Sequence, residues 1–443
     1  MLKINRLEAT KVHEYIPIDI TFNENLTFLT GSNGNGKTTA LKLISAILQP
    51  NFDLLSEIKF ETATVSCMVG KSDVKIKLVK YHEHRTIKWE IKSGKAKLKK
   101  GEFKLYPIYL EYDYSYEERQ SLRESVISEF IGTEFHSIID SYGNPILLGI
   151  DRKILGKLTD YSNENRRIHG FRRSNTKKQS ESFLYAQRVV IDYVGSNADS
   201  KRDLVENLKS NIYRTLFKYV KHSDLNKGLG KLSDEELLKK RKSTLSAVNK
   251  LEIGDIITKE VNDYFDNISN LSIEIDNAKN DGQRNDLLRE WWANRPHLKR
   301  IEKVSEYAQA YQEKIEELDF PLNEITRICN LFFKESNKSL QISANGRIRL
   351  SIDNEEKNTV SLSSGEMQLV VIIIHLVFGE HQNQQSIFVI DEPELSLHIS
   401  WQEKFVDAIL EASPGTQFIL ATHSPAIVSK LEFEDKCVAL KNL

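Results

Sequence analysis

The sequence predicts an α/β protein with a mixed core sheet, an antiparallel N-terminal β-subdomain and a large helical, partly coiled-coil insertion. Three observations predict this class. The chain opens with alternating strand patterns and a glycine-rich loop, continues with a charged segment of helical periodicity, and ends with two short, wholly apolar runs at 387–390 and 418–421. Such runs are typical of buried parallel strands. We therefore divide the 443 residues into an N-terminal lobe (1–118), a helical insertion (119–320) and a C-terminal lobe (321–443).

The N-terminal lobe is predicted from short strand patterns separated by turn residues. Residues 18–30 predict two strands around a polar turn, and the second strand leads directly into the glycine-rich loop. Behind that loop, residues 40–48 carry apolar side chains at helical spacing. Residues 63–70, 74–81 and 86–91 alternate between apolar and polar side chains, which predicts an antiparallel meander.

The insertion is predicted to be charged and helical, with interruptions. Residues 201–219 place apolar side chains on one helix face, and Ser233 with Glu236 forms a capping box that opens a second helix. A third helix, from about Leu298 to Leu318, has a three-four apolar spacing close to that of a coiled-coil seam. One arm of a helical hairpin and a helix packed on its own domain both account for this spacing.

Composition limits the classes of protein. The 62 Lys and Arg residues balance 63 Asp and Glu residues, which excludes a wholly basic nucleic-acid coat and an acidic solvating protein. No apolar stretch is long enough to span a bilayer and no signal-like segment opens the chain, so we expect a cytoplasmic protein without a membrane partner. Cys67, Cys329 and Cys437 lie far apart, which fits a reducing compartment and excludes a cysteine zinc site within one chain.

The glycine-rich loop has the pattern of a phosphate-binding loop, G-x-x-x-x-G-K-[ST], at residues 31–38. Its glycines let backbone N–H groups converge on phosphate oxygens, and the following helix adds its positive N-terminal dipole. A lysine at this position reaches the β- and γ-phosphates, and the hydroxyl after it ligates Mg²⁺. The pattern predicts an ATP and Mg²⁺ site formed by Gly31, Asn33, Gly34, Gly36, Lys37, Thr38 and Thr39.

An acidic pair follows the first apolar run. Asp391 and Glu392 come directly after residues 387–390, so a parallel strand would deliver Asp391 to the carboxyl edge of the sheet beside the phosphate loop. There it can hold Mg²⁺ through a bound water, and Glu392 can orient or deprotonate the attacking water. The alternative interpretation is a buried strand that ends in a solvated acidic turn.

Two further segments carry anion-binding chemistry. Residues 362–366, LSSGE, precede a helix and offer the Ser363 hydroxyl, the Gly365 backbone N–H and a helix dipole to an anion. His423 follows the second apolar run, and a histidine at the carboxyl end of a strand can contact a terminal phosphate. Taken alone, the first segment is ordinary helix capping and the second an ordinary structural histidine.

The order of these four motifs resembles the nucleotide-binding domain of ABC-class ATPases, in which the LSSGE element is the signature motif. The helix-filled gap between Lys37 and Asp391 resembles the heads of SMC-like and RecF-like proteins. Residues 392–398, EPELSLH, resemble the EPE-x-x-LH segment of AAA ATPases of the overcoming-lysogenisation (OLD) type, a group that includes ATPase subunits of anti-phage systems such as PARIS and Septu. Ile399 departs from that pattern, where a proline often follows the histidine.

The resemblance implies two chains that share each ATP. The phosphate loop and Asp391 of one subunit would face Ser363 and Gly365 of another, so we expect a homo-oligomer, at least a dimer. It also implies a role for each of the remaining residues: Thr38 and Asp391 for Mg²⁺, Glu392 for the attacking water, His423 for the γ-phosphate and Ser396 for contact with the opposing site. No glutamine has the context of the one that links the two lobes in this class.

The expected function is that of an ATPase without its own effector. Only twenty residues follow His423, so we expect no downstream nuclease domain. The leading hypothesis is an ATP-hydrolysing sensor or scaffold subunit of a bacterial anti-phage system that controls a separately encoded effector nuclease. The alternative is a RecF- or SMC-like ATPase that acts directly on DNA in repair or recombination. A transporter motor is disfavoured by the helical insertion.

A basic strip is the remaining partner signal. Between Arg152 and Lys178 the chain carries nine basic residues and two acids. Either DNA or an acidic protein could dock on such a strip, and a solvated surface loop accounts for it equally simply.

Overall fold

A computed structural model describes residues 2–82, 85–105, 116–142, 146–148, 154–155, 181–219, 232–251, 253–381 and 387–440. They form two compact units, which we call the sheet unit (Met1–Val190 with Pro321–Leu443) and the helical unit (Ile191–Phe320). The described parts of 119–190 thus belong with the sheets and not with the helical insertion that the sequence suggested. The reason is packing: Phe130, Phe135 and Ile139 are buried in the core beneath the antiparallel sheet.

The antiparallel sheet has six strands in the order β2-β1-β4-β5-β6-β7. Side chains on β5 alternate between buried and more exposed positions, as expected of a sheet with one face on a core. The meander that the sequence predicts is therefore present as β4 to β6. The strands are β1 (Leu2–Val12), β2 (Ile16–Thr21), β4 (Thr62–Val69), β5 (Ser72–Tyr81), β6 (Thr86–Ser93) and β7 (Lys99–Lys104).

The core sheet brings together strands from distant parts of the chain. Its order is β15-β3-β14-β13-β8-β9, namely Cys437–Ala439, Leu26–Thr30, Gln417–Ala421, Ile387–Asp391, Ile146–Leu148 and Ile154–Leu155. The first five strands run parallel, and β9 is antiparallel to β8. Leu29 aligns with Ala421, which aligns with Asp391, so β3, β14 and β13 end at one level of the same sheet edge. The two strands predicted in 18–30 lie in different sheets, because β2 pairs with β1 and β3 enters the core sheet.

The described residues form ten α-helices. A small antiparallel sheet, β10 (Lys338–Ile342), β11 (Ile348–Ile352) and β12 (Glu355–Lys357), precedes α9. Helix α9 is buried on every side from Leu369 to Phe378, which is why its sequence shows no polar face. The helices are α1 (Lys37–Leu48), α2 (Phe52–Glu57), α3 (Tyr116–Ile131), α4 (Glu134–Ser141), α5 (Glu181–Leu216), α6 (Asp234–Lys250), α7 (Gly254–Asp276), α8 (Asp281–Phe333), α9 (Ser364–His381) and α10 (Ile399–Ala412).

The helical unit is built from α6, α7 and the parts of α5 and α8 within it. Ser233 and Glu236 form the predicted capping box at the start of α6. A core of apolar side chains on α6, α7 and α8, including Leu237, Phe265 and Trp291, holds these helices together. The Lys201 ammonium lies 2.5 Å from the Asp319 carboxylate, so α5 and α8 run side by side here.

Helix α8 is longer than the sequence predicts. It covers 53 residues and continues through Pro321, the residue at which we placed the start of the C-terminal lobe. A proline inside a helix removes one hydrogen bond and crowds the preceding turn. Buried side chains beyond it, among them Ile325, Ile328 and Phe332, supply the packing that outweighs this cost. None of the described helices combines the length and the apolar character needed to cross a membrane.

Candidate functional site

The glycine-rich loop connects β3 to α1. Gly31, Gly34 and Gly36 have φ angles of 136°, 86° and 85°, a region that L side chains rarely adopt. A Cβ on Gly31 would lie 2.8 Å from the carbonyl oxygen of Leu440, so this position also lacks room for a side chain. Gly36 occupies the N-cap of α1, where no side chain competes with an anion for the first N–H groups of the helix.

Asn35 anchors the loop from within. Its Nδ2 donates to the carbonyl oxygen of Leu440 at 2.7 Å, and the Leu440 N–H donates to the carbonyl oxygen of Thr30 at 2.9 Å. The far end of the chain therefore holds the loop against β3. Sequence reasoning did not single out Asn35, because only the fold reveals its acceptor.

Lys37 lies where the loop meets three carboxylates. Its Nζ donates to the carbonyl oxygens of Gly31 and Ser32 at 2.9 and 3.1 Å. Burial lowers the pKa of Lys37, and the negative charges of Glu392, Asp391 and Glu394 act in the opposite direction. Lys37 is thus close enough to all three acids to interact with them electrostatically, although they follow it by more than 350 positions in the sequence.

Asp391 has the environment of a cation ligand. Burial raises its pKa above the ordinary value, the nearby Thr38 hydroxyl acts to lower the pKa, and the neighbouring charge of Glu392 acts to raise it. Its Oδ1 is buried and has no hydrogen-bond partner among the described residues. An unpaired buried carboxylate oxygen is costly, and a bound cation would satisfy it.

The protein groups at this site suit a Mg²⁺ ion whose other ligands are waters and phosphate oxygens. They do not suit a metal ion held by protein side chains alone. The described residues contain no group of three or more His, Cys, Asp or Glu side chains that could hold a metal ion. One carboxylate, Asp391, and one hydroxyl, Thr38, are the usual protein share of a magnesium site in which waters and phosphate oxygens complete the shell.

Glu392 occupies a strained turn at the end of β13. Its φ of 50° lies in the left-handed region, which a residue other than glycine adopts at a cost of about 1–3 kcal/mol. Its N–H donates to the carbonyl oxygen of Ala421 at 2.8 Å. The turn leads into a 3₁₀ helix, Pro393–Ser396, and keeps Glu392 at the sheet edge beside the end of β14.

Glu394 joins this turn to the predicted phosphate sensor. Its Oε1 accepts a hydrogen bond from the His423 backbone N–H at 2.6 Å, and its Oε2 accepts one from the Thr422 hydroxyl at 2.9 Å. His423 therefore lies at the same sheet edge as Asp391 and Glu392. Glu394 was not among the predicted site residues, although its place in the EPE segment could have marked it.

The LSSGE element begins α9. The Ser363 hydroxyl accepts a hydrogen bond from the Glu366 N–H at 3.2 Å, and the Glu366 carboxylate accepts one from the Ser363 N–H at 2.7 Å. Lys338 on β10 donates to both carboxylate oxygens of Glu366, at 2.8 and 2.9 Å. Glu366 therefore stabilises the start of α9. Lys338, like Asn35, is a residue that the motif alone could not reveal.

The remaining predicted positions are placed as follows. Asn33 is exposed at the tip of the loop, and the Thr39 hydroxyl lies 3.2 Å from Nε2 of His13. No hydrogen bond within the described part of the chain joins Ser363 or Gly365 to the phosphate loop. Ser396 ends the 3₁₀ helix, and its side chain is outside what the structure describes. The basic strip between Arg152 and Lys178 also lies outside the described residues, apart from 154–155.

Residues 279–428 match the AAA ATPase domain family. The matched range contains the LSSGE element, the acidic pair and His423, and it ends shortly after them. It does not include the phosphate loop. The match supports ATPase activity and the use of a nucleotide.

A curated relative and two solved structures are similar over most of the chain. The Retron Vc95 probable ATPase of Vibrio cholerae serotype O1 biovar El Tor is 21% identical over 452 residues, covering 98% of this chain and 72% of that protein. A Pyrococcus furiosus Smc head domain with an extended coiled coil, bound to the C-terminal domain of ScpA, has a TM-score of 0.40 at 12% identity, with 97% and 92% coverage. A Pyrococcus yayanosii Smc head domain with a coiled coil and joint has a TM-score of 0.36 at 14% identity, with 97% and 93% coverage.

Proposed function

We propose that this chain binds ATP with Mg²⁺ at the edge of the core sheet and hydrolyses it to ADP and phosphate. The observation that carries the proposal is the buried Asp391 carboxylate, whose Oδ1 has no hydrogen-bond partner among the described residues and which lies beside Thr38 of the phosphate loop. Lys37 supports it, because this ammonium is buried among the charges of Asp391, Glu392 and Glu394. A triphosphate would give Lys37 stronger acceptors than the two carbonyl oxygens it now contacts.

Each residue of the site has a distinct task in this proposal. Lys37 and the loop N–H groups bind the β- and γ-phosphates, and Thr38 with Asp391 holds the cation. Bound Mg²⁺ supplies positive charge against the phosphate oxygens. Glu392 orients the attacking water and takes its proton, while His423 contacts the terminal phosphate.

Two substitutions test this chemistry. Lys37→Ala removes the cation that neutralises the phosphates and should abolish binding of a fluorescent ATP analogue. Glu392→Gln should keep that binding and slow hydrolysis by about a hundredfold or more, because it removes the general base. Glu355→Gln, an exposed carboxylate on β12, is the matched control and should leave turnover unchanged. Turnover by Glu392→Gln at the wild-type rate would contradict the assignment.

We further propose that the ATPase is a sensor or scaffold subunit of a bacterial anti-phage system that controls a separately encoded effector nuclease. Two observations support this: residues 392–398 resemble the OLD-type ATPases of such systems, and the similar Vibrio cholerae protein is named as a retron ATPase. Purification of the chain from its native gene cluster, followed by mass measurement, should recover a toxic partner. Recovery of the chain alone, together with tight ATP-dependent binding to DNA, would favour the RecF- or SMC-like alternative.

A further inference from the structure

Two segments of the site are tied together by side chains that no predicted role uses. The first segment is the loop after β13, residues 393–398, and the second is the end of β14, residues 422–424. Both oxygens of Glu394 cross between them, to the His423 N–H and to the Thr422 hydroxyl. A carboxylate is suited to this position because it accepts two hydrogen bonds and donates none.

Gln402 on α10 makes a second, independent link between the same segments. Its Nε2 donates to the carbonyl oxygen of Leu397 at 2.8 Å, and its Oε1 accepts a hydrogen bond from the Ser424 hydroxyl at 2.6 Å. The Ser424 N–H in turn donates to the Thr422 hydroxyl at 3.0 Å. Two side chains therefore join residues 422–424 to the loop after β13, Glu394 from within the loop and Gln402 from α10.

The loop that receives these links presents an apolar surface. Leu395 is 58% exposed, and Ile399 is 63% exposed at the start of α10. Glu394 and Leu395 belong to the same 3₁₀ helix, so a displacement of the Glu394 carboxylate moves the backbone that carries Leu395. Of the two links, Glu394 is the one that contacts His423 directly, so a change at His423 would reach this exposed surface through Glu394.

We propose that Glu394 is a positioning residue that sets the location of His423 and passes a change at the terminal phosphate to the loop 393–398. The inference rests on the proposed ATPase function and goes beyond it, because it assigns the coupling to one carboxylate. Nucleotide binding depends on Lys37, Thr38 and Asp391, and the hydrogen bonds of Lys37 go to the loop carbonyls of Gly31 and Ser32, although Glu394 adds to the negative charge around its ammonium. Loss of the hydrogen bonds made by Glu394 should therefore lower kcat more than it changes the affinity for ATP.

The test compares Glu394→Met with the wild-type full-length chain. The substitution keeps the length of the side chain and removes both acceptor oxygens, whereas a glutamine could keep both bonds because the Thr422 hydroxyl can also accept. We expect kcat to fall by about tenfold or more, with the affinity for a fluorescent ATP analogue and KM changed by less than about threefold. Glu403→Gln, on the exposed side of α10, is the matched control and should leave kcat unchanged.

A second variant keeps the inference testable if Glu394→Met folds poorly. Thr422→Val removes the hydroxyl that donates to Glu394 and accepts from the Ser424 N–H, and it keeps the hydrogen bond from the His423 N–H. It should give a smaller loss of kcat, and an unchanged kcat in this variant would overturn the inference. Where Glu394→Met folds as well, the double variant should lose less than the product of the two single effects, because both remove the same hydrogen bond, and full multiplicativity would overturn the inference.

The outcomes separate this inference from the proposed function. Wild-type protein that hydrolyses ATP, together with a Glu394→Met variant of unchanged kcat, overturns the inference and leaves the ATPase proposal intact. Equal losses in ATP affinity and kcat would mean that Glu394 only shapes the binding site, and they also overturn it. Wild-type protein that does not hydrolyse ATP would overturn the proposed function and this inference together.

Discussion

Two buried lysines make similar contacts but have different roles. Lys37 and Lys80 both place their ammonium groups against backbone carbonyls. Lys37 does so beside three carboxylates at a sheet edge, whereas Lys80, on β5, donates to the carbonyl oxygens of Leu55, Ser56 and Ile58 at 2.7, 3.0 and 2.7 Å. Lys80 therefore closes the C-terminal end of α2, where carbonyl groups lack partners within the helix.

Because Lys80 has a structural role, its replacement should lower the stability of the fold without directly changing ATP hydrolysis. Lys80→Met leaves three carbonyl groups without their donor and should lower the free energy of unfolding by about 2–3 kcal/mol. Urea denaturation measures this change, and Lys75→Met, at an exposed position of the same strand, is the control. Equal urea midpoints and slopes for Lys80→Met and Lys75→Met would contradict the structural role of Lys80.

Motif patterns singled out the residues whose type a motif specifies and did not single out residues whose contacts depend on the fold. Lys37, Asp391 and His423 were predicted because glycine loops and apolar strands mark their surroundings. Asn35 and Lys338 act on partners that only the fold brings near, the Leu440 carbonyl and the Glu366 carboxylate. Their own neighbours in the sequence carry no signal of those contacts, so pattern reading could not assign them.

At the scale of elements, burial on both faces made some strands predictable. The apolar runs at 387–390 and 418–421 became β13 and β14, since a strand covered on both sides has no polar alternation. The strands β8, β9 and β15 have only two or three residues each, too few to show a period. The length of α8 was missed because Pro321 is normally a helix boundary, and burial of the following turns overrides it.

Helix α9 contains a histidine whose burial predicts a pH dependence of stability. His375 is buried, its Nε2 has no hydrogen-bond partner among the described residues, and its ring stacks on Tyr185 at 5.7 Å between centroids. Burial lowers the pKa of His375 from 6.5 to about 4. Between these values the unfolded chain binds more protons than the folded one, so the free energy of unfolding falls as the pH falls below 6.5.

The corresponding experiment compares unfolding at pH 7 and pH 5. Between pH 7 and pH 5 the free energy of unfolding of the wild-type protein should fall by about 2 kcal/mol more than that of His375→Phe. The reason is that the variant has no imidazole at position 375 to be protonated on unfolding. His297→Phe, which replaces an exposed histidine, should behave like the wild type. A parallel decline for wild type and His375→Phe would mean that His375 does not contribute to the pH dependence.

For the whole molecule, the sheet unit depends on segments from both ends of the chain. Strand β3 lies between β14 and β15, and the phosphate loop after it is held by Leu440. The sequence could predict this meeting of distant motifs from their order alone. It could not predict how the chain divides, because α3, α4 and the first turns of α5 are helical and yet belong to the sheet unit.

We propose that two chains share each ATP, as the resemblance to ABC-class ATPases implies, and this arrangement predicts complementation between two inactive variants. Lys37→Ala inactivates the phosphate loop, and Ser363→Arg places a bulky cation at the exposed start of α9, at a cost of about 1 kcal/mol for the lost helix cap. In a mixed dimer one site carries both defects and the other carries neither. Mixing equal amounts should therefore restore ATP turnover to about a quarter of the wild-type rate, since half of the dimers are mixed and each has one intact site. Turnover that stays at the level of the separate variants, although mass measurement shows mixed dimers, would mean that each chain completes its own site.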